Sequence, residues 1–327
     1  MTMLYDLFGR KIDYLRISVT DRCNLRCVYC MPEYGVAYKP HEELLTFEEI
    51  GAIVKACVCL GINKIRITGG EPLVRKGIVG LVEILSSIKG LEDISMTTNG
   101  VLLKEFAVPL KKAGLKRLNI SFDSPDPVRF KNVTRIGNLE EVVEGLEEAA
   151  RAGFAPIKLN VVLLENMPEE EIVEFLRMTL ESNINIRFLE FMPVNSFFES
   201  GKSVSCETVL RLAGIIGSFE ETAIYGHGPA KSFKFHNSSG SFGLISPMSD
   251  KFCAECNRIR LTSDGYLKGC LHSKRKTNLR DALRSGAGEN DIIRLICACA
   301  KEKQEEHVMD YKAPAKMEEH SMCQIGG

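Results

Sequence analysis

The stretch YLRISVTDRCNLRCVYC, residues 14–30, joins a strand pattern to three closely spaced thiols. Its first seven residues alternate between apolar and polar side chains, which predicts a β-strand. The thiols follow directly, in the kind of loop where α/β proteins place their chemistry. They belong to Cys23, Cys27 and Cys30. Because free thiols oxidise and capture metals, we expect this loop to bind a metal group.

The same strand pattern recurs along the chain and is separated by helical patterns. The further strand candidates are KIRIT, DISMTTN, RLNISFD, PIKLNVVLL and NIRFLEF. Helical patterns lie at 46–61, 77–89, 101–113, 138–152 and 168–181. Six strand–helix alternations predict a parallel sheet with helices on one side. Periodicity alone leaves two forms open, a curved and incompletely closed barrel or an open sheet.

The predicted strands are polar on one face, whereas parallel strands usually form nearly continuous apolar runs. In YLRIS, for example, Leu15 and Ile17 lie opposite Arg16 and Ser18. The cations expected on the inner face are Arg16, Arg66 and Lys158. Isolated buried cations cost several kcal/mol each, so an anionic ligand inside the sheet is favoured over pairing with internal Asp or Glu.

After residue 192 the pattern changes. Hairpins are expected around 237–240 and 263–265, and helices at 278–285 and 289–303. We therefore predict two regions, 1–195 with the strand–helix repeats and a C-terminal α+β extension over 196–327.

Composition excludes several classes of protein. The chain has 327 residues and a net charge of −1, with 42 Lys and Arg against 43 Asp and Glu, so no global field directs it to nucleic acid or membranes. No secretory signal, membrane-spanning run or GxxxxGK[ST] phosphate loop is found. We expect a cytoplasmic protein, in which 12 cysteines are unpaired thiols or metal ligands.

The two cysteine groups have different spacings, and each leaves alternatives open. The first, C-x3-C-x2-C, suits a cubane iron–sulfur cluster with one iron free of protein ligands; structural zinc or three buried thiols are the alternatives. The second is C-x2-C-x13-C, formed by Cys253, Cys256 and Cys270. It fits zinc, with His272 as fourth ligand, and a second cluster equally well. The other six cysteines are expected to be small buried hydrophobic residues.

CNLRCVYC resembles the signature of the radical S-adenosylmethionine enzymes, and GGEP at 69–72 resembles the segment of that superfamily that holds the methionyl amino group. The resemblance implies a partial (β/α)6 barrel and a [4Fe–4S] cluster that cleaves S-adenosylmethionine to a 5′-deoxyadenosyl radical. It assigns four residues to S-adenosylmethionine: Tyr29, Gly70, Ser121 and Met192. Beyond the cluster and substrate ligands it implies no separate catalytic residue.

Nearly the whole chain is similar to the GTP 3′,8-cyclase family of molybdenum cofactor biosynthesis, through LRISVTDRCN, IRITGGEPL, TTNG, NISFDS, KLNVV, FMP and CNRIRLTSDG. That resemblance favours a second [4Fe–4S] cluster, whose open iron binds guanine, over zinc at the second cysteine group. It assigns these residues to GTP: Arg16, Arg66, Thr97, Lys158, Arg258, Ile259 and Arg260. The ribose 3′ radical would attack C8 of guanine to give (8S)-3′,8-cyclo-7,8-dihydroguanosine 5′-triphosphate. The terminal Gly326–Gly327 resembles a tail that enters the active site.

The same resemblance implies a flavodoxin- or ferredoxin-type electron donor, a downstream cyclic pyranopterin monophosphate synthase and a possible homodimer. Two rival functions remain. A radical enzyme of peptide maturation would share the N-terminal half but would not need Arg258 and Arg260. A zinc-stabilised binding module, for instance for RNA, is disfavoured by the neutral charge and the absence of Trp.

Overall fold

The computed structural model describes residues 3–193, 203–223, 228–309 and 322–325. The strands of the described residues are β1 Tyr14–Ser18, β2 Lys64–Thr68, β3 Asp93–Thr98, β4 Arg117–Ser121, β5 Ile157–Leu163, β6 Ile184–Glu190, β7 Phe219–Glu221, β8 Lys231–Phe235, β9 Ser241–Ile245, β10 Arg258–Leu261, β11 Tyr266–Lys268 and β12 Thr277–Asn278. The α-helices are α1 Phe47–Cys59, α2 Ile78–Ser86, α3 Leu103–Lys112, α4 Pro127–Thr134, α5 Leu139–Arg151, α6 Glu169–Glu181, α7 Cys206–Ile216, α8 Leu279–Arg284, α9 Glu289–Lys301 and α10 Met322–Ile325.

All twelve strands join one sheet, in the order β12-β11-β10-β1-β2-β3-β4-β5-β6-β9-β8-β7. Strands β1 to β6 pair with their sequence neighbours and are parallel. A helix follows each of β1 to β5 before the next strand, which gives the strand order of a partial (β/α)6 barrel. The alternation predicted from the sequence is confirmed.

The C-terminal region extends this sheet at both edges, which the sequence did not indicate. On one side β10 pairs in parallel with β1, and on the other β9 pairs in parallel with β6. The predicted hairpins are formed by β8 with β9 and by β10 with β11. The predicted boundary between residues 195 and 196 lies outside the described residues, as do Gly326 and Gly327.

Strand parity divides the sheet into an apolar face and a polar face, as predicted. Leu15, Ile17, Ile65 and Ile67 are fully buried, and they belong to one hydrophobic cluster with the buried faces of the helices. The polar face, which includes Arg16, lines a cavity. The packed helices therefore leave the inner side of the sheet for polar ligands.

The helices begin at residues that are typical of helix N-termini. Thr46 and Glu49 form the predicted capping box of α1: the Glu49 amide donates to Thr46 Oγ1 at 3.1 Å, and the Thr46 amide donates to Glu49 Oε2 at 2.7 Å. The sequence prediction missed α4, although Asp126 as N-cap and Pro127 as first residue are typical of a helix start. Among the described residues, no helix has the length and apolarity needed to cross a membrane.

Candidate active site

One cavity on the polar face of the sheet is bordered by both cysteine groups. All six predicted metal ligands line it, the N-terminal trio Cys23, Cys27 and Cys30 and the C-terminal trio Cys253, Cys256 and Cys270. The N-terminal trio follows β1, Cys253 and Cys256 precede β10, and Cys270 follows β11. Because β10 pairs with β1, Cys23 and Cys270 reach the same cavity although they are 247 positions apart in sequence.

The loop after β2 packs directly on the N-terminal cysteine loop. The Gly70 amide donates to the Thr20 carbonyl at 2.7 Å, and the Glu71 amide donates to the Arg22 carbonyl at 2.8 Å. A Cβ on Gly70 would lie 2.7 Å from the carbonyl carbon of Arg22 and closer still to its oxygen. Glycine is therefore required here by backbone approach.

Glu71 ties the ends of β2 and β3 together beside this loop. Its carboxylate accepts hydrogen bonds from Thr98 Oγ1 at 2.7 Å and from the backbone amides of Asn99 and Leu73 at 2.6 and 3.0 Å. Burial raises the pKa of Glu71 to about 7. Asn99 Nδ2 in turn donates to Asn24 Oδ1 at 2.8 Å, within the cysteine loop. The sequence analysis gave Glu71 no role, although it is the third residue of GGEP.

Tyr29 is fixed by a buried carboxylate. Its hydroxyl donates to Asp123 Oδ2 at 2.6 Å, while Asp123 Oδ1 accepts from the Val162 amide at 3.1 Å. Burial and the neighbouring Asp123 raise the pKa of Tyr29. The predicted S-adenosylmethionine residues all line the cavity: Tyr29, Gly70, Ser121 and Met192.

The two cysteine groups differ in their electrostatics. Burial raises the pKa of Cys23 to about 12 and that of Cys27 and Cys30 well above the usual value. Burial would also raise the pKa of Cys256, but Arg258 and Lys303 outweigh it and lower the pKa to about 6. Metal binding requires thiolates. The N-terminal thiols therefore need the positive charge of a bound metal group to lose their protons, whereas cations of the protein already favour the thiolate of Cys256.

Three arginines on neighbouring strands line the same cavity as the two trios. In the strand register Arg16 on β1 is opposite Arg260 on β10 and Arg66 on β2, so the three side chains share one face. Burial, followed by the charges of Arg260 and Arg66, lowers the pKa of Arg16. A row of like charges on half-buried side chains is unfavourable without an anion beside it.

Several polar atoms of the wall are buried and have no hydrogen-bond partner among the described residues. They include Arg66 Nε, Thr97 Oγ1, both amide atoms of Asn119 and both ring nitrogens of His272. Buried polar groups are normally satisfied. The wall therefore fits a ligand that offers acceptors to the arginine row and hydrogen bonds to its neighbours.

Two of the residues assigned to GTP are placed differently from the rest. Ile259 is fully buried in the hydrophobic cluster, so its side chain faces away from the cavity. Lys158 is 1% exposed and does not line the cavity. Its register partner on β4, Asn119, does line it. The other five line the cavity: Arg16, Arg66, Thr97, Arg258 and Arg260.

Arg187 was not among the predicted site residues, but it lines the cavity from β6 and is 6% exposed. Strand parity in NIRFLEF would have indicated it. The prediction that the other six cysteines are buried holds only in part, because Cys206 and Cys297 are half-buried. Cys59 is exposed, with Sγ 3.3 Å from Glu289 Oε1, so the prediction that it is buried was wrong. Cys323 is buried, but it lines the cavity beside the N-terminal trio.

The donor sets fit iron–sulfur clusters better than single ions. No group of three His, Cys, Asp or Glu residues in the described ranges is compact enough to hold one metal ion. In a [4Fe–4S] cluster each thiolate binds a different iron, so its ligands stand farther apart. His272, the possible fourth ligand of the C-terminal trio, also lines the cavity. Burial, and after it the charge of Arg260, lowers the pKa of His272 to about 3.

Comparison with known proteins agrees with this geometry. The family model of the radical SAM superfamily matches residues 17–179, and the model described as Molybdenum Cofactor Synthesis C matches residues 184–309. A GTP 3′,8-cyclase of Peptoclostridium acidaminophilum is 46% identical over 329 residues, which cover 100% of this chain and 99% of that protein. A GTP 3′,8-cyclase of Listeria monocytogenes is 44% identical over 336 residues, which cover 100% of both chains.

The fold is similar to that of SuiB from Streptococcus suis, solved with S-adenosylmethionine bound. The TM-score is 0.63 at 15% identity, and the match covers 87% of this chain and 68% of that one. Radical S-adenosylmethionine enzymes use a [4Fe–4S] cluster and S-adenosylmethionine, and the cyclases with the C-terminal region carry an additional cluster. The two family models and the full-length identity lead to one conclusion: the chain belongs to the GTP 3′,8-cyclase family of radical S-adenosylmethionine enzymes.

Proposed function

We propose that the chain converts GTP to (8S)-3′,8-cyclo-7,8-dihydroguanosine 5′-triphosphate, the first step of molybdenum cofactor biosynthesis, in the cavity between the two cysteine trios. The observation that carries the proposal is the arginine row formed by Arg260, Arg16 and Arg66. Planar guanidinium groups bind phosphate oxygens through paired hydrogen bonds. A triphosphate would place negative charge and acceptor oxygens beside all three guanidinium groups.

The N-terminal trio would hold the cluster that binds S-adenosylmethionine. When bound, the cluster and S-adenosylmethionine supply a 5′-deoxyadenosyl radical for hydrogen abstraction from the ribose 3′ carbon. The chain itself contributes placement: Gly70 lets the loop after β2 pack against the cysteine loop, and the Asp123 carboxylate orients Tyr29. Ser121 and Met192 are proposed as further contacts to S-adenosylmethionine because both line the cavity.

The nucleotide would occupy the side of the cavity near β10 and the C-terminal trio, which would hold the second cluster. Arg16, Arg66, Arg258 and Arg260 are proposed to bind the phosphates, and Thr97 to donate a hydrogen bond. The Ile259 side chain lies in the core, so only its backbone is proposed to contact GTP. We add Arg187 to the nucleotide-binding residues and propose that Lys158 acts from beside Asn119, its register partner on the next strand.

Several parts of the function follow from the chemistry. Reductive cleavage of S-adenosylmethionine needs an external electron, so we propose a flavodoxin- or ferredoxin-type donor. The cyclic nucleotide product needs a further enzyme, a cyclic pyranopterin monophosphate synthase. We also propose a cytoplasmic location, which suits two trios of metal-binding thiols because thiols stay reduced there. We also propose that the chain divides into two regions between residues 195 and 196 and that it forms a homodimer.

Substitution of one ligand in each trio tests this function. The Cys27→Ser variant is expected to lose both S-adenosylmethionine cleavage and cyclisation. The Cys256→Ser variant is expected to lose cyclisation while some cleavage survives. Iron and sulfide content after anaerobic reconstitution should fall by about one cluster in each variant, measured against Cys59→Ser, whose thiol lies outside the cavity. Unimpaired cyclisation by Cys256→Ser would contradict the proposal.

A GTP titration separates this function from its rivals. Binding of GTP to the anaerobically reconstituted protein, weakened by Arg258→Met, would favour the cyclase. No affinity for GTP would favour peptide maturation, and metal analysis that found zinc without iron would favour a zinc-stabilised binding module.

A further inference from the structure

Lys303, just after α9, has a buried ammonium group at the C-terminal trio. The residue is 4% exposed. Its Nζ donates to Cys256 Sγ at 3.3 Å, to the Arg258 carbonyl at 3.1 Å and to the Gly269 carbonyl at 2.7 Å. An ammonium group has three N–H donors. All three are used within the protein, so Lys303 is poorly suited to bind a phosphate, unlike the arginines of the cavity wall.

The charge of Lys303 has one candidate counter-anion. Within the described ranges, no carboxylate forms an ion pair with it. A buried cation is costly unless an anion compensates it, and backbone carbonyls carry only partial charge. Cys256 is the contacting group that becomes anionic when it binds a metal. The Cys256 thiolate is therefore the group that compensates the charge of Lys303 when the site holds a cluster.

The location of Lys303 is fixed from two sides. A Cβ on Gly269 would lie 3.1 Å from both Cα and Cβ of Lys303, so this approach depends on glycine next to Cys270. Arg10 holds the following segment, since its guanidinium donates to the carbonyls of Gln304 and Glu305, each at 2.6 Å, and to that of Cys253 at 2.8 Å. The ammonium group thus joins the segments that carry Cys256 and Cys270.

We propose that Lys303 is a positioning residue of the C-terminal cluster, which orders two of its ligand segments and raises its reduction potential. Hydrogen bonds to ligand sulfurs and nearby charge set the potentials of iron–sulfur clusters. A reduced cluster carries one more negative charge than the oxidised form, so an adjacent ammonium group favours reduction. The inference rests on the proposed function, because it requires a cluster at the C-terminal trio.

The test is an anaerobic redox titration followed by EPR spectroscopy on the reconstituted protein with both clusters. In Lys303→Met, one of the two midpoint potentials is expected to become more negative, and the other to stay in place. Lys303→Arg, which keeps the charge and N–H donors, should restore most of the shift. Lys301→Met is the matched control, because Lys301 is exposed at the end of the same helix. It should change neither potential.

Each outcome decides the proposal. Unchanged potentials in Lys303→Met with full iron content would overturn it, as would an equal shift of both clusters. If Lys303→Met lost the iron of one cluster, Lys303→Arg should retain it; loss in both variants would show that the charge is not what matters. Cys256→Ser keeps this question apart from the proposed function. If Cys256→Ser loses no iron, the cluster assignment itself fails.

Discussion

Substitution of Arg66 by methionine should make the nucleotide-free protein more stable while it weakens nucleotide binding. Arg66 lies next to Arg16 in the strand register, and its Nε has no hydrogen-bond partner among the residues that the structure describes. Its guanidinium carbon lies 5.8 Å from the centroid of the Tyr14 ring, which is a favourable contact. Methionine can fill a similar volume without a charge.

The magnitude follows from the strand geometry. Neighbouring strands lie about 4.8 Å apart. Guanidinium charges about 6–8 Å apart repel each other by about 2–3 kcal/mol at an effective dielectric constant of about 20. The lost cation–π contact with Tyr14 offsets about 1 kcal/mol of this gain. We expect the free energy of unfolding of Arg66→Met, without nucleotide, to rise by about 1–2 kcal/mol, in line with the replacement of other buried charges by apolar residues.

The affinity for GTP should change in the opposite sense. A hydrogen bond to a charged group contributes about 1.5–3 kcal/mol, which corresponds to roughly 10- to 100-fold in the dissociation constant. Anaerobic urea denaturation without nucleotide and equilibrium binding of GTP measure the two effects. Arg177→Met is the control, because Arg177 is exposed on α6 and should affect neither. If Arg66→Met were destabilised without nucleotide, or bound GTP as tightly as the wild type, the reasoning from the arginine row would be wrong.

Two further predictions concern the same cavity. Gly70→Ala places a Cβ against the Arg22 backbone, which should cost about 1–3 kcal/mol and reduce iron incorporation at the N-terminal trio. Gly80→Ala in α2 meets no atom within 4 Å and should be neutral or stabilising, so equal iron content and stability in the two variants would contradict this. Burial, followed by the charge of Arg187, lowers the pKa of Lys158 from 10.5 to about 7. Between these values the unfolded chain binds a proton that the folded protein has lost, so stability should increase as pH rises from 7 to 8.5. Denaturation at both pH values should show a smaller increase in Lys158→Met, and an identical increase would count against the shift.

Much of the site follows from local sequence. The spacing of Cys23, Cys27 and Cys30 after a strand, and the strand parity that turns Arg16 and Arg66 inward, need only the period of a β-strand and the preference of metals for thiolates. The cavity lining agrees with both. The same rule, applied to β6, would have identified Arg187.

Other features depend on contacts between segments that are far apart in the sequence, and a local sequence pattern does not indicate such contacts. Gly70 could be identified only as part of a turn motif, since the carbonyl of Arg22 that excludes a side chain belongs to another loop. The contact of Lys303 with Cys256 is of the same kind, because a lysine near a helix end usually lies in water.

The sequence by itself determined the strand–helix order, the two thiol trios and the face of the sheet on which charges lie, because each depends on residues close together in the chain. Only the tertiary structure decided that β10 pairs with β1 and β9 with β6. Those pairings are long-range: no local period specifies which strand lies at a sheet edge. They align Arg260 with Arg16 and bring both trios to one cavity.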